Sequence, residues 1–268
     1  MMKWIVEQGR LVFAIAIAAF GAENIVCAHA KGTFLHVIPW IPSRAWLAYL
    51  TGVALIAAAV CIATHFRERL AAVLLGFLFL VCDLLLQLPQ VLAVPFDVGI
   101  RTTAFETLTM CGAAWILAAS LPSENVMASR WRDILNGLLR SGRYLFAISA
   151  IVFGIDHYLV FAFIVSLIPH WIPGSGSLWT HITALAFIAA GICIASGWMD
   201  RLAATMLGVM FLLWVLVLHG PRVVSYPKSH DPDEWSSAFI ALAVCGASWI
   251  LAASLRGKPM IAKLERAK

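Results

Sequence analysis

A chain of 268 residues that is 62% hydrophobic and 12% charged, with mean hydropathy +0.90, departs from the make-up of soluble domains, which are roughly 45–50% apolar and about 25% charged. It reads as an integral membrane protein. The net charge of +5 resides in Lys and Arg that sit in short loops and tails beside apolar runs, a topology pattern that makes the bilayer and not nucleic acid the expected partner.

Eight apolar stretches reach the roughly 20 residues a spanning helix needs: about 11–30, 45–64, 70–94, 102–121, 144–168, 179–199, 202–219 and 236–255. The first imitates a signal peptide, with Lys3 and Arg10 before it and Ala28-His29-Ala30 after it. Glu23 interrupts that run and the whole segment recurs at 142–154, so it reads as a retained helix.

The polar stretch from Pro122 to Arg143 divides the chain into a first repeat (1–121), a cytoplasmic linker (122–143) and a second repeat with a basic C-terminal tail (144–268). Residues 104–121 and 238–255 share 13 of 18 positions, among them Cys111-Gly112-Ala113 against Cys245-Gly246-Ala247. Arg69-Leu70-Ala71-Ala72 matches Arg201-Leu202-Ala203-Ala204, and Pro39-Trp40-Ile41-Pro42 matches His170-Trp171-Ile172-Pro173. A duplicated four-helix unit is expected, giving an all-α membrane protein of eight spans in two four-helix bundles. With eight spans one side receives 14 of the basic residues and the other 5, which predicts cytoplasmic termini. An even number of helices per unit makes the repeats parallel, unlike the inverted repeats of many transporters. The two Trp-Ile-Pro loops then face outward, as interfacial anchors or as a lid over a pocket.

The spans as drawn hold no Lys or Arg but four acids: Glu23, Asp83, Glu106 and Asp156. Counting 1.5 Å per residue puts Glu23 and Asp83 about 20 Å from the cytoplasmic edge and Glu106 about 6–8 Å from the outer one, so the three could line one outward pocket. In the second repeat Val215 and Ile240 take the places of Asp83 and Glu106, while His157 stands opposite Asn24 and His219 opposite Gln87. The same count brings His157 and His219 close enough to touch. An intramembrane acid beside an imidazole is a site hypothesis by default. The histidines read as structural hydrogen-bonders, as proton-transfer or quinone-binding groups, or less readily as metal or haem ligands. Asp156 would orient His157 only if another turn brought it round, since neighbouring helix positions diverge by about 100°, and a partner on a neighbouring helix is an equal reading.

The six cysteines, at 27, 61, 82, 111, 193 and 245, form no CxxC and read as buried small hydrophobes. Cys111-Gly112 and Cys245-Gly246 fit close helix approach. His29, His36, His170 and His181 fall near the outer boundary and need no function.

A basic residue opening the first helix and a later Phe-Gly recur, as Arg10 with Phe20-Gly21 and Arg143 with Phe153-Gly154. Each copy continues with a polar residue past the glycine and an Ala- and Gly-rich second helix. On these features the chain resembles a tandem member of the DoxX-like family over most of 9–121 and 142–255. That resemblance implies a compact four-helix bundle in the bacterial inner membrane, often working with a redox partner protein, in some members as the membrane subunit of a quinone-linked oxidoreductase. It departs from the family in the fusion of two units and in Glu23-Asn24. The leading expectation is redox support at the outer face, with a quinone or other small ligand held by Asp156, His157 and His219, and with Arg222 and Trp171 at the mouth. A proton, cation or small-solute transporter using Glu23, Asp83 and Glu106 is the first alternative, and a non-catalytic assembly subunit the second.

Overall fold

The computed structural model describes residues 2–26, 28, 45–122, 129–225 and 232–255, and the regular structure among them is entirely helical. Pro39-Trp40-Ile41-Pro42, Cys27, His29, His36 and residues 256–268 lie outside the described residues. The helices are α1 (Met2–Val26), α2 (Ala45–Ala63), α3 (Glu68–Ala93), α4 (Val98–Ser120), α5 (Ser129–Arg140), α6 (Gly142–Leu159), α7 (Phe161–Leu167), α8 (Gly176–Ser196), α9 (Asp200–Val224) and α10 (Pro232–Ser254). Among the described residues seven stretches are long and apolar enough to cross a membrane, drawn from α1, α2, α3, the α5–α6 run, α8, α9 and α10. The protein is thus an all-helical, multi-pass membrane protein.

The helix that stands apart is α4, whose 23 residues include Arg101, Glu106 and four threonines. It tolerates them because it is enclosed by protein: every residue from Thr109 to Ala118 is buried, a run that only a helix packed on all sides can show. Its companion is α10, which packs against it, and the two form the centre of the molecule.

The helices close a ring in the order α1, α2, α3, α4, α6, α8, α9, α10 and back to α1, with α4 and α10 meeting across it. The expectation of two self-contained four-helix bundles is therefore corrected. The last helix of the first half, α4, packs on α6, and the last helix of the second, α10, packs on α1. Glycines dictate the exchange. A Cβ placed on Gly112 would lie 2.7 Å from the Gly142 carbonyl oxygen, and one on Gly246 would lie 2.7 Å from that of Gly9. Only residues without side chains let backbones meet so closely.

Other contacts recur in pairs. Arg10 donates to the Ile62 carbonyl (2.8 Å) and lies 3.4 Å from Glu68, while Arg143 donates to the Ile194 carbonyl and lies 3.5 Å from Asp200. Both α3 and α9 widen into a π-helical turn, Asp83–Gln87 and Val215–His219. Each turn is followed two residues later by a proline, Pro89 or Pro221, which lacks an N–H and crowds the carbonyl a turn earlier, so the ladder steps over one residue.

Two boundaries differ from the sequence reading. The linker expected over 122–143 carries α5, fixed by Arg69, which donates to Asn136 Oδ1 (2.6 Å) and to the Leu121 carbonyl (2.9 Å). The span expected over 144–168 breaks at Val160 (φ −114°, ψ 38°), just past Asp156 and His157.

Candidate functional site

Where α4, α6, α8, α9 and α10 meet, at the end of the bundle away from Arg10 and Arg143, lies a cavity of about 520 Å³. Its place follows from local signals. Asp97 caps α4 by accepting from the Ile100 amide (2.9 Å), so the first turns of α4 present Arg101, Thr102, Thr103 and Glu106. The break at Val160 ends α6 directly after Asp156 and His157, and Val160 with Phe163 and Ile164 of α7 completes that side.

Asp156 is buried and fully engaged. Arg101 pairs with Oδ1 through its Nε (3.0 Å) and its terminal nitrogen, and the Thr102 hydroxyl donates to Oδ2 at 3.0 Å. Its partners stand on another helix, and one of them is basic although the spans as drawn held no Lys or Arg: Arg101, one residue before the span drawn over 102–121, belongs to the first turn of α4.

His157 turns Nδ1 back onto its own helix, 2.7 Å from the Phe153 carbonyl oxygen. A carbonyl only accepts, so Nδ1 carries the proton of that bond and Nε2 is the nitrogen left to the cavity. The imidazole stacks on Trp214 (5.9 Å, 25°) and lies 5.3 Å from Phe187. Phe153 and Phe211 pack edge-to-face on Phe187, making the apolar wall. The cavity is also lined by Glu106, Ser236 and Ser237. Among the described residues nothing hydrogen-bonds or pairs with the Glu106 carboxylate, the only acid of the cavity left for a ligand.

The other candidates fall elsewhere. Glu23 accepts from Ser236, which lines the cavity, so it borders the site through one hydroxyl. Asn24 is fully buried with neither amide atom hydrogen-bonded, and Asp83 Oδ1 is likewise buried without a partner. Neither Asp83 nor Gln87 lines this cavity, and the exchange of last helices places Glu106 in it with Asp156. His219 also stays outside it, its Nδ1 buried and unbonded, and Trp214 takes the place against His157 that the depth count assigned to His219. The straight-helix count could not register the π-turn that separates them. Arg222 lies 3.4 Å from Glu234 and Trp171 is exposed; neither lines the cavity. His181 sits against Tyr158 and Phe161, and Cys111 and Cys245 are buried at the glycine crossings. Among the described residues no group of three or more His, Cys, Asp or Glu side chains could hold a metal ion.

Sequence reasoning missed Arg101, the hydroxyls and the aromatic wall. One signal was available: Thr102-Thr103 and Ser236-Ser237 are paired hydroxyls at matching places in the two aligned helices. No family model matches the chain, and no curated protein or solved structure matches it.

Proposed function

We propose that the cavity binds the head group of a quinone or a similarly flat, lipophilic carbonyl compound, with His157 and Glu106 making and breaking hydrogen bonds to its oxygens. The observation that carries this reading is an unengaged carboxylate and an imidazole lining one cavity with an aromatic wall, within a bundle whose sides are apolar. Glu106 when protonated, or His157 when charged, donates to a carbonyl oxygen; the neutral imidazole accepts from the hydroxyl of the reduced form. Asp156, already satisfied by Arg101 and Thr102, serves as a positioning residue that ties α6 to α4. Electrons would come from a redox partner protein, in keeping with the DoxX-like resemblance.

The same proposal takes the chain as eight spans, with α4 the eighth, built as two parallel copies of a four-helix unit. It is set in a bacterial inner membrane with its termini and arginine-rich end cytoplasmic. The recurring arginine, glycine and π-turn contacts support the duplication. The transport reading is the weaker one, because the polar groups do not continue through the centre. From Met110 to Ala118 α4 presents no ionisable group except Cys111, and the one hydroxyl at the matching depth of α10, Ser248, is spent on the Val244 carbonyl.

Titration of the detergent-purified protein with a short-chain quinone, read by quenching of tryptophan fluorescence, tests the proposal. Saturable quenching that is largely lost in Trp214→Phe, with affinity falling roughly tenfold in Glu106→Gln and in His157→Asn, is the expected result. Equal affinity in all three variants would overturn it.

A further inference from the structure

We propose that α5 lies in the headgroup layer at the arginine-rich end of the bundle and binds anionic lipid headgroups there. This rests on α5 alone and not on the cavity. At about 100° per residue, its side chains sort into three sectors. One faces the protein: Leu139 is fully buried, and Asn136 is bound to Arg69. A second, within an arc of about 60°, holds Trp131, Ile134 and Leu138, large apolar groups left 62%, 53% and 39% exposed. The third, an arc of about 80° bordering that stripe on the side of Ile134, holds the exposed Arg130, Asp133 and Arg140.

A helix free in water would have no use for the apolar stripe, and a helix inside the bilayer core could not keep three arginines. The arrangement suits the boundary, with tryptophan and aliphatic groups entering the acyl region and the polar face toward water. Charge then chooses the lipid. Arg130, Arg132 and Arg140 against Asp133 give α5 a net charge of +2, and Arg69, bound to Asn136 and the Leu121 carbonyl, stands at the same end of the bundle. Phosphate-bearing anionic headgroups complement that field; zwitterionic ones do so far less.

Hydrogen exchange of the full-length protein in nanodiscs tests this, comparing phosphatidylcholine alone with phosphatidylcholine mixed with phosphatidylglycerol. Amides of 130–140 should exchange roughly tenfold more slowly in the anionic bilayer. Arg130→Gln with Arg140→Gln should erase that difference. Trp131→Ser with Leu138→Ser should speed exchange in both bilayers, while α8 keeps its protection as a check on folding. Equal exchange in the two lipids overturns the proposal. So does fast exchange in both, which would leave the stripe to a protein partner, or slow exchange that neither double substitution changes, which would mean contacts within the bundle hold α5.

Discussion

The junction of α4 with α6 and the junction of α10 with α1 share a scaffold and differ in chemistry. At both, glycines bring two backbones together and a hydroxyl from the incoming helix reaches an acid on the receiving one: Thr102 to Asp156, Ser236 to Glu23. Beyond that the pairs diverge. His157, Trp214 and Glu106 stand where the other junction has Asn24, Cys82 and Ile240, and Arg101 stands where it has Trp235. Contacts that hold helices together recur, while groups able to exchange protons or stack on a ligand are concentrated at one junction. A symmetric scaffold thus carries an asymmetric site, which separates residues kept for packing from residues kept for chemistry.

The largest way to break the comparison is to overfill the crossings. Gly112→Val and Gly246→Val each drive a side chain into a backbone carbonyl 2.7 Å from the new Cβ, where no flexible neighbour can yield. Each should cost about 3 kcal/mol or more, or abolish folding, in thermal unfolding of the detergent-solubilised protein. Gly137→Ala on α5, with nothing within 4 Å, should be neutral or slightly stabilising. If only one valine variant is damaged, the two crossings are not equivalent.

The acids give a graded contrast. Asp156→Asn removes a charge that Arg101 faces, leaving a partly buried guanidinium uncompensated at a cost of about 2 kcal/mol, below the range for a fully buried pair because Arg101 retains some solvent. Glu23→Gln keeps an oxygen to accept from Ser236 and should cost only about 1 kcal/mol. Unfolding midpoints of the two variants check the order; equal losses would mean that Arg101 contributes nothing specific to its junction.

Much of this fold was legible in the sequence, because apolar runs and the repeat of Cys-Gly-Ala with Trp-Ile-Leu report on burial and close packing, which local composition controls. The exchange of α4 and α10 was not, since Gly112 can meet a glycine on either first helix and nothing local says which. Glu106 and Asp156 were each visible as acids in apolar surroundings, but their convergence on one cavity depends on that exchange. Arg101 fell just outside the span drawn over 102–121, since an apolar run stops at a charge, and α4 escapes that constraint by being enclosed in protein.

A smaller change would sharpen the comparison by copying one junction onto the other. Trp235→Arg puts a guanidinium at the position matching Arg101, on the helix that already approaches Glu23. Trp235 is 46% exposed, so the new charge keeps part of its hydration and the gain is small. A double-mutant cycle with Glu23→Gln should return a coupling of about 0.5–1 kcal/mol. Zero coupling would show that α10 enters its junction at a different rotation from α4.

The smallest expected effect falls at His219. It closes the π-turn of α9 as Gln87 closes that of α3, its Nδ1 is buried without a hydrogen bond, and Trp214, five residues earlier, supplies the ring against His157. Glutamine is therefore a side chain this turn already accommodates in the other half. His219→Gln should shift stability by less than about 0.5 kcal/mol and leave quinone quenching unchanged, whereas His157→Asn, the matching exchange at the cavity, weakens it. Were His219→Gln to weaken quenching as much as His157→Asn, the ligand would have to reach past Trp214 to the π-turn, and the two histidines would form one site after all.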